Sequence, residues 1–128
     1  MAEETGAPDE QLVELAHQMF DLAREGDTER LGAYLEAGVP VDLTDAAGNT
    51  LLMLAAYHGH TATVTMLAAG GADVNRVNDR GQSPLAGAVF KAEHMVVAAL
   101  LAAGADPDAG TPTARETAAM FGQPDLFT

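Results

Sequence analysis

A 33-residue repetition constrains this chain more than any other feature of its sequence. Gly-Ala-Asp-Val-Asn at 71–75 returns as Gly-Ala-Asp-Pro-Asp at 104–108, and Gly-Asn-Thr-Leu-Leu at 48–52 returns as Gly-Gln-Ser-Pro-Leu at 81–85. A more divergent copy, Gly-Val-Pro-Val-Asp, occupies 38–42. A fixed period near this length indicates a solenoid, in which each unit buries its apolar face by stacking on its neighbours. Such a molecule is built as an extended surface, which favours binding over catalysis.

The apolar spacing within each repeat predicts a pair of short helices. Apolar residues recur at intervals of three and four from Asp9 onwards, which lines one face of a helix. Thr50 is expected to cap one helix and Ser83 another, because a hydroxyl at the N-cap accepts a backbone hydrogen bond. In the third unit Val97, Leu100 and Leu101 are expected to face inward. The helices of the two best repeats are expected at about 51–58, 61–69, 85–91 and 95–103.

These patterns together predict an all-α solenoid of about four stacked helix-turn-helix units, joined by β-hairpin-like loops. Residues 1–8 are expected to form a disordered tail, and 9–128 a single domain. The last unit looks truncated, because Pro124 leaves room for only part of a final helix. The units are expected at about 9–44, 45–77, 78–110 and 111–128.

Composition and charge narrow the classes of function. The net charge is −13, and residues 1–45 hold 12 acidic residues and two arginines, leaving only −3 for the rest of the chain. The electrostatic field of this negative charge repels nucleic acid and anionic membranes and speeds encounter with a basic partner. An acidic surface can also serve only to keep a protein soluble and dispersed. The chain has no cysteine, its N-terminus lacks an apolar segment, and its longest apolar run, about 95–105, is too short to span a bilayer. We therefore expect a cytoplasmic protein.

Few residues suggest chemistry. Ser83 is the only serine, and it lies where a helix cap is needed, so a structural role is favoured over a nucleophile. His58 and His60 flank a helix break, and no third ligand has recognisable metal-site spacing. Gly70-Gly71 lacks the glycine spacing of a phosphate-binding loop. No catalytic residue, metal or cofactor is predicted.

The repeats resemble the ankyrin repeat family. The best unit, 45–77, keeps a turn, Thr50, a Gly59-His60 break and the Gly-Ala-Asp-Val-Asn ending, and the likeness extends over about 10–127. The third unit keeps Pro84-Leu85 and the Gly-Ala-Asp ending, but has Ala92-Glu93 at the break. The histidine that the family places early in the first helix is replaced by Met53 and by Ala86.

This resemblance implies a protein-interaction module without catalysis, which binds a partner on the concave face of the repeats. It further suggests that Arg24, Tyr57, Phe90 and Met120, which are equivalent in successive units, form one row across that face. The partner-binding residues implied are Arg24, Glu25, Ala47, Asn49, Tyr57, His58, Asp79, Arg80, Gln82, Phe90, Lys91, Met120 and Phe121.

The acidic field suggests that the partner has a basic surface, and neither nucleic acid nor membrane is expected to bind. We expect a monomer, with weak self-association through the apolar C-terminal end, Leu126-Phe127. An alternative is a small regulatory or protective accessory protein of a specific bacterial enzyme, a role that some small stand-alone bacterial ankyrin proteins suggest. An enzyme and a structural spacer are the remaining alternatives.

Overall fold

The computed structural model describes residues 6–127, with side chains from Glu10 onwards. Within this range the chain forms seven helices and no extended strand, apart from one isolated antiparallel bridge between Thr44 and Thr50. The all-α architecture predicted from the repeats is confirmed. The helices are α1 (Gly6–Glu25), α2 (Thr28–Glu36), α3 (Leu51–Tyr57), α4 (Thr61–Ala69), α5 (Pro84–Phe90), α6 (His94–Ala102) and α7 (Ala114–Met120).

The helices stack in two rows. The inner row runs α1, α3, α5, α7, and the outer row runs α2, α4, α6, with each helix contacting its neighbours in its own row. Antiparallel contacts join the rows within the pairs α1–α2, α3–α4 and α5–α6. This nearest-neighbour pattern is the packing expected of a solenoid.

The core lies between the two rows and consists mostly of leucine and small residues. Every residue of α3 from Leu51 to Ala56 is buried, and so is every residue of α5 from Pro84 to Val89. These two helices are covered on both sides, which explains why their sequences carry no charge. Small residues bring them close together, since a β-carbon added at Gly87 would lie 3.2 Å from the Met53 methyl group.

Side-chain caps fix where the inner helices begin. The Thr50 hydroxyl accepts a hydrogen bond from the Met53 amide, and the Ser83 hydroxyl accepts one from the Ala86 amide, both at 3.0 Å. The caps predicted at Thr50 and Ser83 are therefore confirmed. Thr113 caps α7 in the same way, and the Glu116 carboxylate accepts a return bond from the Thr113 amide.

The hairpin tips that precede α3 and α5 are joined by side-chain amides. The side-chain nitrogen of Asn78 donates to the Asn49 side-chain oxygen of the preceding tip (2.8 Å) and to the Gln82 side-chain oxygen of its own tip (2.9 Å). The Asp79 amide also donates to the Ala47 carbonyl (3.0 Å), so the tips are stacked in a fixed register.

Three details differ from the sequence predictions. Helix α1 begins at Gly6, so the predicted tail is helical at 6–8, while residues 1–5 lie outside the described part of the chain. Helices α5 and α6 each begin and end one residue earlier than expected, and α3 ends one residue earlier. Leu101 does not face inward as predicted but is 39% exposed. The reason is that α6 packs on α4 and α5, and the described part of the last unit supplies one helix, α7, which packs on α5 and leaves the far side of α6 open.

Candidate protein-binding face

The C-terminal ends of the inner helices bring the predicted row of residues to the surface. Arg24, Tyr57, Phe90 and Met120 lie in the last turn of α1, α3, α5 and α7 respectively. Phe90 is 58% exposed and Met120 is 67% exposed, while Tyr57 is half-buried. Phe90 and Met120 are therefore not part of the inter-repeat core, and two large apolar side chains project from neighbouring helices.

A hollow lies between these side chains. It has a volume of about 230 Å³ and is walled by Tyr57, Phe90 and Met120, with Gly87 and Thr117 at its base. Its size suits one apolar side chain. Exposed apolar side chains grouped around a hollow are a feature typical of interaction sites.

The hollow continues toward the hairpin tips and toward α1. A second concavity, of about 320 Å³, shares Tyr57 and Gln82 with the first and adds Arg80. A third shares Ala47 with the second and reaches Arg24 on α1. Each of these three hollows shares lining residues with the next, so they lie side by side across the inner helices, and we refer to them together as the groove.

Positive and aromatic groups gather at the edge of the groove. The Lys91 ammonium lies 4.8 Å from the centroid of the Tyr57 ring, within the range of a cation–π interaction. The Tyr57 and His58 rings meet edge to face at 5.7 Å, and the His58 and His60 rings lie 6.4 Å apart. We refer to Arg24, His58, His60 and Lys91 as the cationic cluster.

Partial burial lowers the pKa of His58 below its ordinary value, and the nearby positive charges of His60, Lys91 and Arg24 lower it further. The imidazole of His58 is therefore held in its neutral form at neutral pH. Three basic side chains lie close enough to oppose protonation of His58, so basic groups are concentrated at this part of the surface.

Known proteins with the same architecture were found both by sequence and by structure. The family model for ankyrin repeats in three copies matches residues 19–111. This chain belongs to the ankyrin repeat family. Among solved structures, the ankyrin repeat domain of human ASB11 superimposes on 70% of this chain with a TM-score of 0.66 and 30% sequence identity, and 40% of that chain is covered. The predicted solenoid fold class is thereby confirmed.

Relatives by sequence share the repeats and little else. An ankyrin repeat protein of Pseudomonas aeruginosa is 51% identical over 53 residues, which cover 41% of this chain and 31% of that protein. Human ankyrin repeat domain-containing protein 29 is 47% identical over 62 residues, covering 48% and 21%. The mouse inactive serine/threonine-protein kinase TEX14 is 33% identical over 92 residues, covering 72% and 6%. The chain thus spans less than a third of the length of these relatives, and what it shares with them is the ankyrin repeat, in general a scaffold for protein interaction.

The ankyrin fold places most of the predicted residues along the groove, but not all. Eight of them line it: Arg24, Ala47, Asn49, Tyr57, Arg80, Gln82, Phe90 and Met120. His58 and Lys91 stand at its edge. Phe121 packs edge to face on Phe90 at 5.6 Å and, with His94 and Leu126, lines a further hollow on the α6 side of Phe90, outside the three that make up the groove. Glu25 is exposed but lines none of these hollows, and neither does Asp79.

Two of the predicted contact residues at the hairpin tips already have hydrogen-bonding partners within the protein, as Arg24 has in Asp21. The Asn49 side chain accepts a bond from Asn78 and donates one to Asp45 (3.3 Å), and the Gln82 side-chain oxygen accepts one from Asn78. These amides therefore form the floor of the groove. The guanidinium of Arg80 makes no ion pair within the described part of the chain, so it is available to a partner.

Sequence reasoning missed the small residues at the base of the hollow, notably Gly87 and Thr117. A signal was available, because each lies three residues before an exposed apolar residue on the same helix, Phe90 and Met120. Residues at that spacing share a helix face. The short side chain on one turn makes room beside the long side chain on the next.

The residues considered for chemistry have structural roles. Ser83 is buried, and its hydroxyl caps α5. His60 donates from Nε2 to the Arg24 carbonyl oxygen at 2.6 Å and so ties α1 to the second unit. Among the described residues, no three His, Cys, Asp or Glu side chains gather as metal ligands do. No helix between residues 6 and 127 combines the length and apolar character needed to cross a membrane.

Proposed function

We propose that this ankyrin repeat protein binds a partner protein in the groove, through the exposed residues that end α3, α5 and α7. The observation that carries the proposal is the pair of exposed apolar side chains, Phe90 and Met120, which with Tyr57 wall an open hollow. Aromatic residues, methionine and arginine are the types that dominate the centres of protein interfaces. The remaining predicted contacts, including Asp79, Glu25 and Phe121, would lie at the rim.

We further propose that the chain catalyses no reaction and that residues 9–128 act as one binding domain. Two features support this. The only serine is buried in a helix cap, and His58, whose pKa is lowered, has basic side chains rather than an orienting carboxylate around it. An enzyme needs a base aligned with its nucleophile and an orienting group aligned with the base.

A pull-down comparison tests the site. The wild-type chain and the Tyr57→Ala/Phe90→Ala variant are immobilised and exposed to lysate of the native cell, and specifically retained proteins are quantified. The variant is expected to retain at least tenfold less of the main partner, because truncation of central aromatic anchors costs about 2 kcal/mol or more each.

The matched control is Met95→Ala/Leu101→Ala, which removes comparably exposed apolar side chains from α6, outside the groove. This variant is expected to retain the partner as the wild type does. Equal recovery by wild type and the Tyr57/Phe90 variant would remove the groove as the binding site.

We also propose that the acidic N-terminal third steers a partner with a basic surface toward the groove. Residues 1–45 carry a net charge of −10, including Glu25, Asp27 and Glu29 around the α1–α2 turn and Glu36 at the end of α2. Steering raises the association rate at low salt and is screened within about 10 Å at 0.1 M salt. The association rate constant with the recovered partner should therefore fall about tenfold or more between 20 and 300 mM NaCl. A rate constant indifferent to salt would contradict the steering.

A monomer in the cytoplasm is the state that we propose for the free protein, with weak self-association at the C-terminal end. Leu126 is 38% exposed there. The absence of cysteine fits a reducing compartment. Sedimentation velocity between 5 and 500 µM should show mass rising only at the high end, and Leu126→Glu should abolish that rise. Fractionation of the native cell tests the location.

A further inference from the structure

Positive charge is scarce in this chain, and half of its basic residues border the groove. Six Lys and Arg residues stand against 19 Asp and Glu, yet Arg24, Arg80 and Lys91 all lie along the groove or at its edge. Arg24 is paired with Asp21 (2.9 Å) and more distantly with Asp45 (3.9 Å). Arg80 and Lys91 have no carboxylate partner within the described part of the chain.

Basic side chains also predominate in the immediate surroundings of His58. From α1 it meets the charge of Arg24, from the start of α4 that of His60, and from the end of α5 that of Lys91. The acidic side chain of Glu93 packs against Gly59, the residue that follows His58. Partial burial of the ring is the largest cause of its lowered pKa, and these neighbouring basic groups lower the pKa further.

Tyr57 joins this cluster to the apolar hollow. One side of its ring walls the hollow opposite Phe90, and Lys91 and His58 lie 4.8 and 5.7 Å from its centroid. An extended peptide advances about 3.3 Å per residue. Because every second side chain of such a peptide lies on the same face, about 6.6 Å apart, the hollow and the cluster are within reach of two alternate side chains of one bound segment.

We propose that the segment bound in the groove presents a carboxylate beside an apolar side chain. The carboxylate binds between Lys91 and His58, and the apolar side chain fills the hollow walled by Tyr57, Phe90 and Met120. This inference rests on the proposed function and specifies its partner: a protein whose overall surface is basic, as the acidic N-terminal third favours, and whose contact segment contains Asp or Glu two residues from a large apolar residue.

A carboxylate is favoured between Lys91 and His58 because its negative charge offsets the repulsion among the basic groups around His58. It accepts a charge-assisted hydrogen bond from Lys91 and favours the protonated form of His58, which can then donate a second one. Binding therefore raises the pKa of His58 from its lowered value. By linkage, the affinity must increase as the pH falls through that range, because the bound state takes up a proton.

Three small probes of one shape and different charge test the proposal: 3-phenylpropionate, 3-phenylpropanol and 3-phenylpropylammonium. Each is titrated to tens of millimolar into isotopically labelled protein at constant ionic strength, and the amide and imidazole resonances are followed. The carboxylate is expected to shift the amides of Tyr57, Phe90 and Lys91 and to raise the pKa of His58. Its affinity should exceed that of the alcohol about fivefold. The ammonium probe should bind most weakly in the groove.

Lys91→Gln is expected to remove the charge preference, so that acid and alcohol bind alike. Arg76→Gln is the matched control, because Arg76 is exposed and lies outside the groove, and it should leave the preference unchanged. The proposal is overturned if the ammonium binds the groove as tightly as the acid. It is equally overturned if the acid leaves the pKa of His58 unchanged, or if no probe shifts the groove amides.

The recovered partner separates failure of this inference from failure of the proposed function. Equal recovery by wild type and the Tyr57/Phe90 variant would show that the groove is not the binding site, and the proposed function would fail. If retention of the partner depends on Tyr57 and Phe90 but is equal for wild type and Lys91→Gln, the groove is the binding site and the proposed carboxylate contact is wrong.

Discussion

Ala92 is the one residue other than glycine with a positive φ in the described part of the chain. Its φ of 58° occurs between α5 and α6, at the position that Gly59 occupies with a φ of 79° between α3 and α4. The left-handed conformation costs a residue with a β-carbon roughly 1–2 kcal/mol. The third repeat therefore carries backbone strain where its sequence departs from the Gly-His break of the second.

Ala92→Gly is expected to stabilise the protein. Relief of the strain exceeds the additional chain entropy that glycine loses on folding, which leaves a gain of about 0.5–1 kcal/mol in the free energy of unfolding. Equilibrium urea denaturation measures it as a higher midpoint with an unchanged slope. Ala98→Gly, within α6 and exposed, is the control and should lose about 1 kcal/mol. A midpoint for Ala92→Gly at or below that of the wild type would contradict the assignment of strain.

Gly26 has a second reason to be glycine, because a β-carbon there would overlap the ring of His60. Gly26→Ala should lower the free energy of unfolding by about 3 kcal/mol, combining the cost of its φ of 76° with loss of the bond from His60 to the Arg24 carbonyl. Urea denaturation gives the value.

Gly122→Ala separates the two contributions. Its φ of 78° matches that of Gly26, but no atom lies within 4 Å of the added carbon, so it should lose only about 1–2 kcal/mol. In a His60→Ala background the cost of Gly26→Ala should fall toward that of Gly122→Ala. If the two substitutions act additively instead, the His60 ring is not what excludes a side chain at Gly26.

At the scale of single helices, the inner helices depend on their caps because they are short. Helix α5 has only seven residues, and the Ser83 hydroxyl satisfies an amide at its start. Ser83→Ala should therefore cost about 1 kcal/mol of stability. It should leave partner retention unchanged at temperatures where the variant is folded, and Ser83→Thr should restore stability. Loss of retention by a folded Ser83→Ala protein would indicate a functional role for this hydroxyl.

The helices of the two best repeats could be predicted from sequence to within about a residue because their boundaries are local. Thr50 and Ser83 start α3 and α5, and Gly70 ends α4, whatever packs against them. Exposure of Leu101 is not local, because it depends on which helix lies beyond α6. No pattern in the sequence shows that the ammonium of Lys91 lies on the Tyr57 ring, since that contact depends on the stacking of two units and on side-chain rotamers. The row of residues was predictable because equivalent positions of stacked repeats must align.

At the scale of the whole molecule, contacts between neighbours alone make the ends the weakest part. Helix α7 packs on α5, and within the described residues no outer helix follows it. Arg115 links α7 to the chain on either side of it, because its guanidinium donates to the Asp108 carboxylate at 2.9 Å and to the Phe127 carbonyl at 3.2 Å. Two-sided burial is confined to the inner helices between α1 and α7.

Native-state hydrogen exchange should therefore show a gradient along the inner row. The amides of α7 are expected to exchange through a local opening at least 2 kcal/mol below the global free energy of unfolding, whereas those of α3 and α5 exchange only by global unfolding. Arg115→Gln should lower the protection of α7 further and leave α3 unaffected. Uniform protection across α3, α5 and α7 would mean that the molecule opens as one cooperative unit.

The amide chain across the hairpin tips has a consequence for the thermodynamics of association. Asn78 is held by Asn49 and Gln82, so the floor of the groove has lost its rotational freedom before a partner arrives. Ordering of those side chains then adds nothing to the entropy lost on binding. The entropy that remains to be lost resides in the long side chains around the floor, Arg80, Lys91 and Met120. Different partners would therefore differ in binding entropy according to which of these three side chains they immobilise.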